Sequence, residues 1–129
     1  HPGTAGQVLI TNGPNAAPSW GTSTISAPVT KTADFTLADS ESWVINNKSG
    51  STCIVTLPTP SGYTGRQVTF KNMQAQFLVS ASNNVVPLDS ISAGTAILLD
   101  VIGNWATMVS DGTNWVIMQA ASNNNLLLE

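Results

Sequence analysis

The chain has 129 residues, 42% of them hydrophobic and only 9% charged, with a net charge of −3. That is enough for one domain with a filled core, and too apolar for a disordered chain. The basic residues Lys31, Lys48, Arg66 and Lys71 are few and scattered, which argues against nucleic acid and anionic lipid as partners.

Residues 1–27 read as a strap or neck. Between a Gly turn in Gly3 to Gly6 and an Asn12-Gly13 turn one short apolar strand is predicted, followed by the exit Ala16-Ala17-Pro18-Ser19-Trp20. A unit this short buries too little apolar surface to be stable alone. It makes sense as one rung of something longer or as a strap on a partner chain, with Val8, Leu9 and Trp20 predicted at a subunit interface. A start at His1-Pro2 without Met is expected of a fragment or a processed chain.

Residues 28–121 are predicted to form the head. Turn signals recur about every eight to twelve residues, the spacing of sandwiches and barrels, and no window shows helical periodicity. Cys53, Val55 and Leu57 alternate onto one face of a strand; further along, Val68 and Phe70 oppose Gln67, Thr69 and Lys71. A two-residue turn at Asp111-Gly112 would set Met108 opposite Trp115 and Ala106 opposite Ile117. Trp43 and Trp115 are expected in the core. Ala96 to Leu99 and Val116 to Met118 are apolar on both faces, so a second subunit is expected to cover them, with Ile97 and Leu99 in the contact. The longest apolar stretch, Ala96 to Val109, is interrupted by Asp100 and Gly103-Asn104 and is too short to insert in a membrane as a helix. The tail, 122–129, ends in Leu126, Leu127 and Leu128, a sticky end also assigned to the interface; its Leu128-Glu129 equally matches a cloning remnant. The sum is an all-β fold, an antiparallel, jelly-roll-like β-sandwich that associates with itself.

Several of these segments resemble phage tail fibres and related virion appendages. Gly3-Thr4-Ala5-Gly6-Gln7-Val8-Leu9 with Asn12-Gly13 and Ala17-Pro18-Ser19-Trp20 is similar to the fibre segment that precedes a globular head. Thr52 to Pro58, Gln67 to Asn72 and Val109 to Trp115 resemble a recurrent β-module of the same proteins, in order, over residues 34 to 118. Gln74 to Ile91 and Trp105 depart from that module. The resemblance implies a homotrimer in the virion, joined through its N-terminal end to other virion proteins and binding a host cell-surface glycan or protein.

Catalytic groupings are sparse. The one histidine is His1, at the terminus, so no Ser-His or Cys-His pair is expected. Cys53, the only cysteine, reads as a small buried hydrophobe. Of the carboxylates Asp34, Asp39, Glu41, Asp89, Asp100 and Asp111, those in turns read as turn chemistry; glycoside cleavage would need two across one bond. No metal or cofactor is expected. Gly62-Tyr63-Thr64-Gly65 reads as a loop, and Asn47-Lys48-Ser49 as a turn that also matches a glycan acceptor pattern.

Recognition suits the residue types better, because rings give contact area and amides give directional hydrogen bonds. Tyr63, Gln74, Gln76, Asn83, Asn84, Asn104 and Trp105 are the predicted receptor contacts. The function that follows is a non-catalytic host-attachment head. The rivals are a structural decoration, collar or head-fibre protein and a glycan-degrading tailspike-type enzyme.

Overall fold

A computed structural model describes residues 7–10, 14, 17, 19–22 and 27–121, the two strands within 7–22 as backbone only. Those strands are β1 (Gln7–Ile10) and β2 (Ser19–Thr22), an antiparallel pair with Leu9 opposite Trp20. The side chains of Val8, Leu9 and Trp20, the Asn12-Gly13 turn and Leu126, Leu127 and Leu128 lie outside the described residues.

The body is all-β, with mixed sheets. Its strands are β3 (Val29–Lys31), β4 (Phe35–Thr36), β5 (Trp43–Asn46), β6 (Cys53–Thr56), β7 (Gln67–Asn72), β8 (Leu78–Ser80), β9 (Val85–Val86), β10 (Ala96–Leu98), β11 (Trp105–Ser110) and β12 (Trp115–Ala121). One sheet runs β3-β5-β7-β11-β12-β9, the other β10-β8-β6-β4. From β3 to β8 the chain changes sheet after every strand. Neighbours β3, β5 and β7 are therefore parallel, and so are β4, β6 and β8. Parallel neighbours cannot be joined by a tight hairpin and need a crossover. Here each crossover is a strand of the opposite sheet, so the chain winds as a short coil. Antiparallel β10, β11 and β12 then close the coil on β8 and β7.

This corrects the expected antiparallel, jelly-roll-like ladder. Alternation reports which face a residue takes, not which way the next strand runs. The faces themselves are as expected. Cys53, Val55 and Leu57 are buried, and so are Val68 and Phe70. Both sheets feed one core, in which Val44, Val68, Phe70, Leu78, Met108 and Trp115 are fully enclosed. Each such side chain contributes about 1.5–3 kcal/mol of burial.

Two local expectations also change. The last hairpin closes with Ser110 opposite Trp115, so Asp111 to Asn114 form a four-residue loop rather than a two-residue turn. The Asp111 carboxylate accepts the N–H groups of Thr113 and Asn114 at 2.9 and 2.8 Å, which stabilises the longer loop. The register therefore moves by two and pairs Met108 with Ile117; the same four side chains still face inward. A bulge after that pair turns Met118 outward and sets Thr107 opposite Gln119. A second irregularity, between Ala96 and Leu98, buries both Ile97 and Leu98. Of the two predicted interface residues here, Ile97 is 7% exposed within the single chain and Leu99 is 57% exposed.

Candidate functional site

The outer face of the six-stranded sheet carries its side chains in rows set by register. One row crosses four strands as Trp43, Thr69, Thr107 and Gln119. The next crosses the same strands as Ile45, Lys71, Trp105 and Ala121. Alternation dictates this: Val44, Val68, Phe70, Ala106 and Met108 point inward, so their neighbours in sequence point out. Between the rows lies a groove of about 540 Å³. Trp43 stands on one side, Trp105 reaches in from two strands away, and Pro28 and Gln67 complete the rim.

Trp43 is 53% exposed, which corrects its expected place in the core; Trp115 is buried, its Nε1 donating to the Pro58 carbonyl at 2.9 Å. The groove floor holds a hydroxyl pair, Thr69 Oγ1 and Thr107 Oγ1, 2.8 Å apart. No carboxylate lines the groove, and Lys71 is its one charge. The other basic side chains are each paired: Lys31 with Glu41 at 2.7 Å, Lys48 with Asp34 at 2.8 Å, Arg66 with Asp39 at 4.0 Å. Lys71 has no ion pair among the described residues. The strands beneath offer no backbone to a ligand, because β5, β7 and β11 each have a strand on both sides.

A second groove, about 410 Å³, lies between β10 and β12, with Leu88, Ile97, Leu99 and Ile117 in its walls and Asp89 at its rim. Trp105 lines both grooves.

Of the predicted receptor contacts, Asn104 and Trp105 meet at the second groove, and the others do not join them there. Trp105 alone among them lines the first groove. Asn104 is buried, and its carbonyl accepts the Asn72 N–H. Gln74 donates to the Asn47 side-chain oxygen at 2.8 Å. The Gln76 carbonyl accepts Asn72 Nδ2 at 2.9 Å. Asn84 accepts the Ser80 hydroxyl at 2.6 Å, while Asn83 is exposed in the same turn. Tyr63 follows a single turn of 3-10 helix (Pro60–Gly62) at the end of the sheet where β5 and β7 begin. Its hydroxyl donates to Asp39 at 2.5 Å, and the Arg66 guanidinium lies 5.1 Å from its ring centre. The bond to Asp39, with some burial, pushes the phenol above its usual range.

The carboxylates are mostly committed to structure. Burial pushes the Glu41 carboxyl up, but the Ala38 N–H and the Lys31 ammonium outweigh it, and the balance falls below 4.5. Asp34 is lowered by its bond from Lys48, then by the Ile54 N–H. Asp111 is lowered by the Asn114 and Thr113 N–H groups. Asp100 is exposed, and Asp89 is the one carboxylate on a groove rim. Cys53 is buried, which pushes its thiol up and away from a nucleophile's range. Among the described residues no three His, Cys, Asp or Glu side chains gather to hold a metal.

Sequence reasoning passed over one buried pair. Asn46 and Asn72 are register partners on parallel strands, both fully enclosed, with Asn46 Nδ2 donating to Asn72 Oδ1 at 2.8 Å. Asn72 Nδ2 also bonds the Leu99 carbonyl at 2.7 Å. The pair ties successive turns of the coil to the loops at that end. The signal was the asparagine closing both Trp43-Val44-Ile45-Asn46 and Thr69-Phe70-Lys71-Asn72. No protein-family model matches the chain, and no curated protein matches it in sequence.

Proposed function

We propose that this chain is the non-catalytic, receptor-binding head of a phage tail fibre, and that the groove between Trp43 and Trp105 is its contact surface. The groove carries the reading: two accessible indoles, a hydroxyl pair and flanking amides occupy one face of a rigid sheet. Such a surface binds through side chains, since the backbone is spent on the ladder. The fibre-like segment and β-module noted in the sequence supply the context, a virion appendage. In this reading the two sheets act as one sandwich-like head, present in three copies. Three equivalent grooves add weak contacts through multivalency. Leu99, Ile102, Met73 and Phe77 are exposed apolar side chains on loops bound to one another through Asn72, and suit contact with neighbouring copies.

The test is adsorption of labelled, purified protein to a panel of bacterial strains, with its mass in solution read by light scattering. The reading predicts a trimer that binds particular strains and loses binding on combined Trp43→Ala and Trp105→Ala substitution, with its circular dichroism unchanged. A well-folded protein that binds no strain, or a double variant that binds as well as the parent, favours the structural decoration instead. Release of reducing ends from host polysaccharide would favour the enzyme.

A further inference from the structure

We propose that the ligand of this groove is an acidic saccharide, its rings stacked on Trp43 and Trp105 and its anionic group held by Lys71. The proposal rests on the recognition-head reading and deepens it. Three observations carry it: the position of the one Lys or Arg side chain without an ion pair among the described residues, the spacing of the two indoles, and the closed backbone beneath them.

Lys31, Lys48 and Arg66 each have a carboxylate partner; Lys71 stands in the groove with none among the described residues. An apolar ligand seated there would strip water from an ammonium and return nothing for it. An anionic group on the ligand removes that penalty. A second copy of this chain docking the same face would set Lys71 against Lys71. The protein's net charge of −3 gives no long-range attraction for an anion, so Lys71 reads charge at contact distance.

Trp43 and Trp105 lie two strands apart and one row apart. With ~4.8 Å per strand and ~3.4 Å per residue, their Cα atoms are roughly 12 Å apart. Two flat apolar platforms at that distance suit a short run of rings better than a single small molecule. Pyranose rings offer C–H faces to aromatic side chains and hydroxyls at their edges. Thr69, Thr107, Gln67 and Gln119 supply donors and acceptors for those hydroxyls. An extended peptide gains its affinity by adding a strand to a free sheet edge, and β5, β7 and β11 have no free edge.

The experiment is a printed array of bacterial surface oligosaccharides, carboxylated, phosphorylated and neutral at matched length, probed with the parent protein and with Lys71→Gln, Trp43→Ala and Trp105→Ala. Acidic glycans should bind, more weakly as salt rises. Lys71→Gln should cost about fivefold to tenfold on acidic glycans and leave neutral ones unchanged. Each tryptophan substitution should cost about threefold to tenfold on both. The carboxylated and phosphorylated arms tell which anion Lys71 takes. Binding confined to neutral glycans, acidic binding that ignores Lys71→Gln, or no glycan binding overturns the proposal. If the protein still adsorbs to cells through Trp43 and Trp105 in that last case, the ligand class fails and the head reading stands. Loss of cell adsorption as well removes both.

Discussion

The two faces of the six-stranded sheet are built by the same strands and behave as different materials. The inner face, with Val44, Phe70, Met108 and Trp115, is closed to solvent. The outer face sets Trp43, Thr69, Lys71 and Trp105 at the intervening positions, open or half-open. Trp115 and Trp43 make the contrast sharpest. Each begins a strand; one is enclosed with its indole N–H bonded, the other stands 53% exposed beside a groove. The inner face stores folding energy, and the outer face is spared from it and available for contact.

That contrast breaks most visibly at the inner face. Trp115→Ala should lose about 3–5 kcal/mol in a urea titration, because it empties the largest enclosed site and orphans the Pro58 carbonyl. Asn72→Leu should cost about 3 kcal/mol in the same assay. It keeps the branched shape but strands Asn46 Nδ2 and the Gln76 and Leu99 carbonyls. Gly112→Ala should cost about 2 kcal/mol, since Gly112 sits at φ +93° and a Cβ there would lie 3.0 Å from Thr64 Oγ1. Trp43→Ala, on the outer face, should cost under about 1 kcal/mol. A loss equal to that of Trp115→Ala would erase the distinction between the faces.

The smallest effect is titration. The Glu41 carboxyl lies below its unfolded value, so its contribution to stability is present above about 4.5 and is lost as the pH falls through the folded value. Glu41→Gln should lower stability near neutral pH and flatten the fall on the acid side. An unchanged acid limb would show that Lys31 and Ala38 do not hold the carboxylate.

Strand faces were legible in the sequence because a period of two needs only local residues. Cys53, Val55 and Leu57 show it, and so do Val68 and Phe70. Strand direction was not legible. The coil is hidden because its turns carry loops of unequal length, so Val29, Val44 and Phe70 share a column of the sheet without sharing a spacing. The Asp111-Gly112 pair suggested a two-residue turn, but the carboxylate bonds to Thr113 and Asn114 favour a four-residue loop. Of the side chains lining the proposed contact groove, only Trp105 was legible as a candidate contact. Gln74 and Asn84 have the composition of ligand contacts and are spent on the fold, because an amide that bonds a ligand and one that bonds a loop look alike in sequence. Trp43 reads as a core residue because Trp43-Val44-Ile45 is apolar on both faces. Only the neighbouring strands decide which face is the core.

The most direct test follows the indole N–H signals of the four tryptophans by NMR as polysaccharide from an adsorbed strain is added. The signals of Trp43 and Trp105 should shift together while that of Trp115, bonded to the Pro58 carbonyl, stays in place. Saturable binding that leaves both groove signals unmoved would contradict the proposed contact surface.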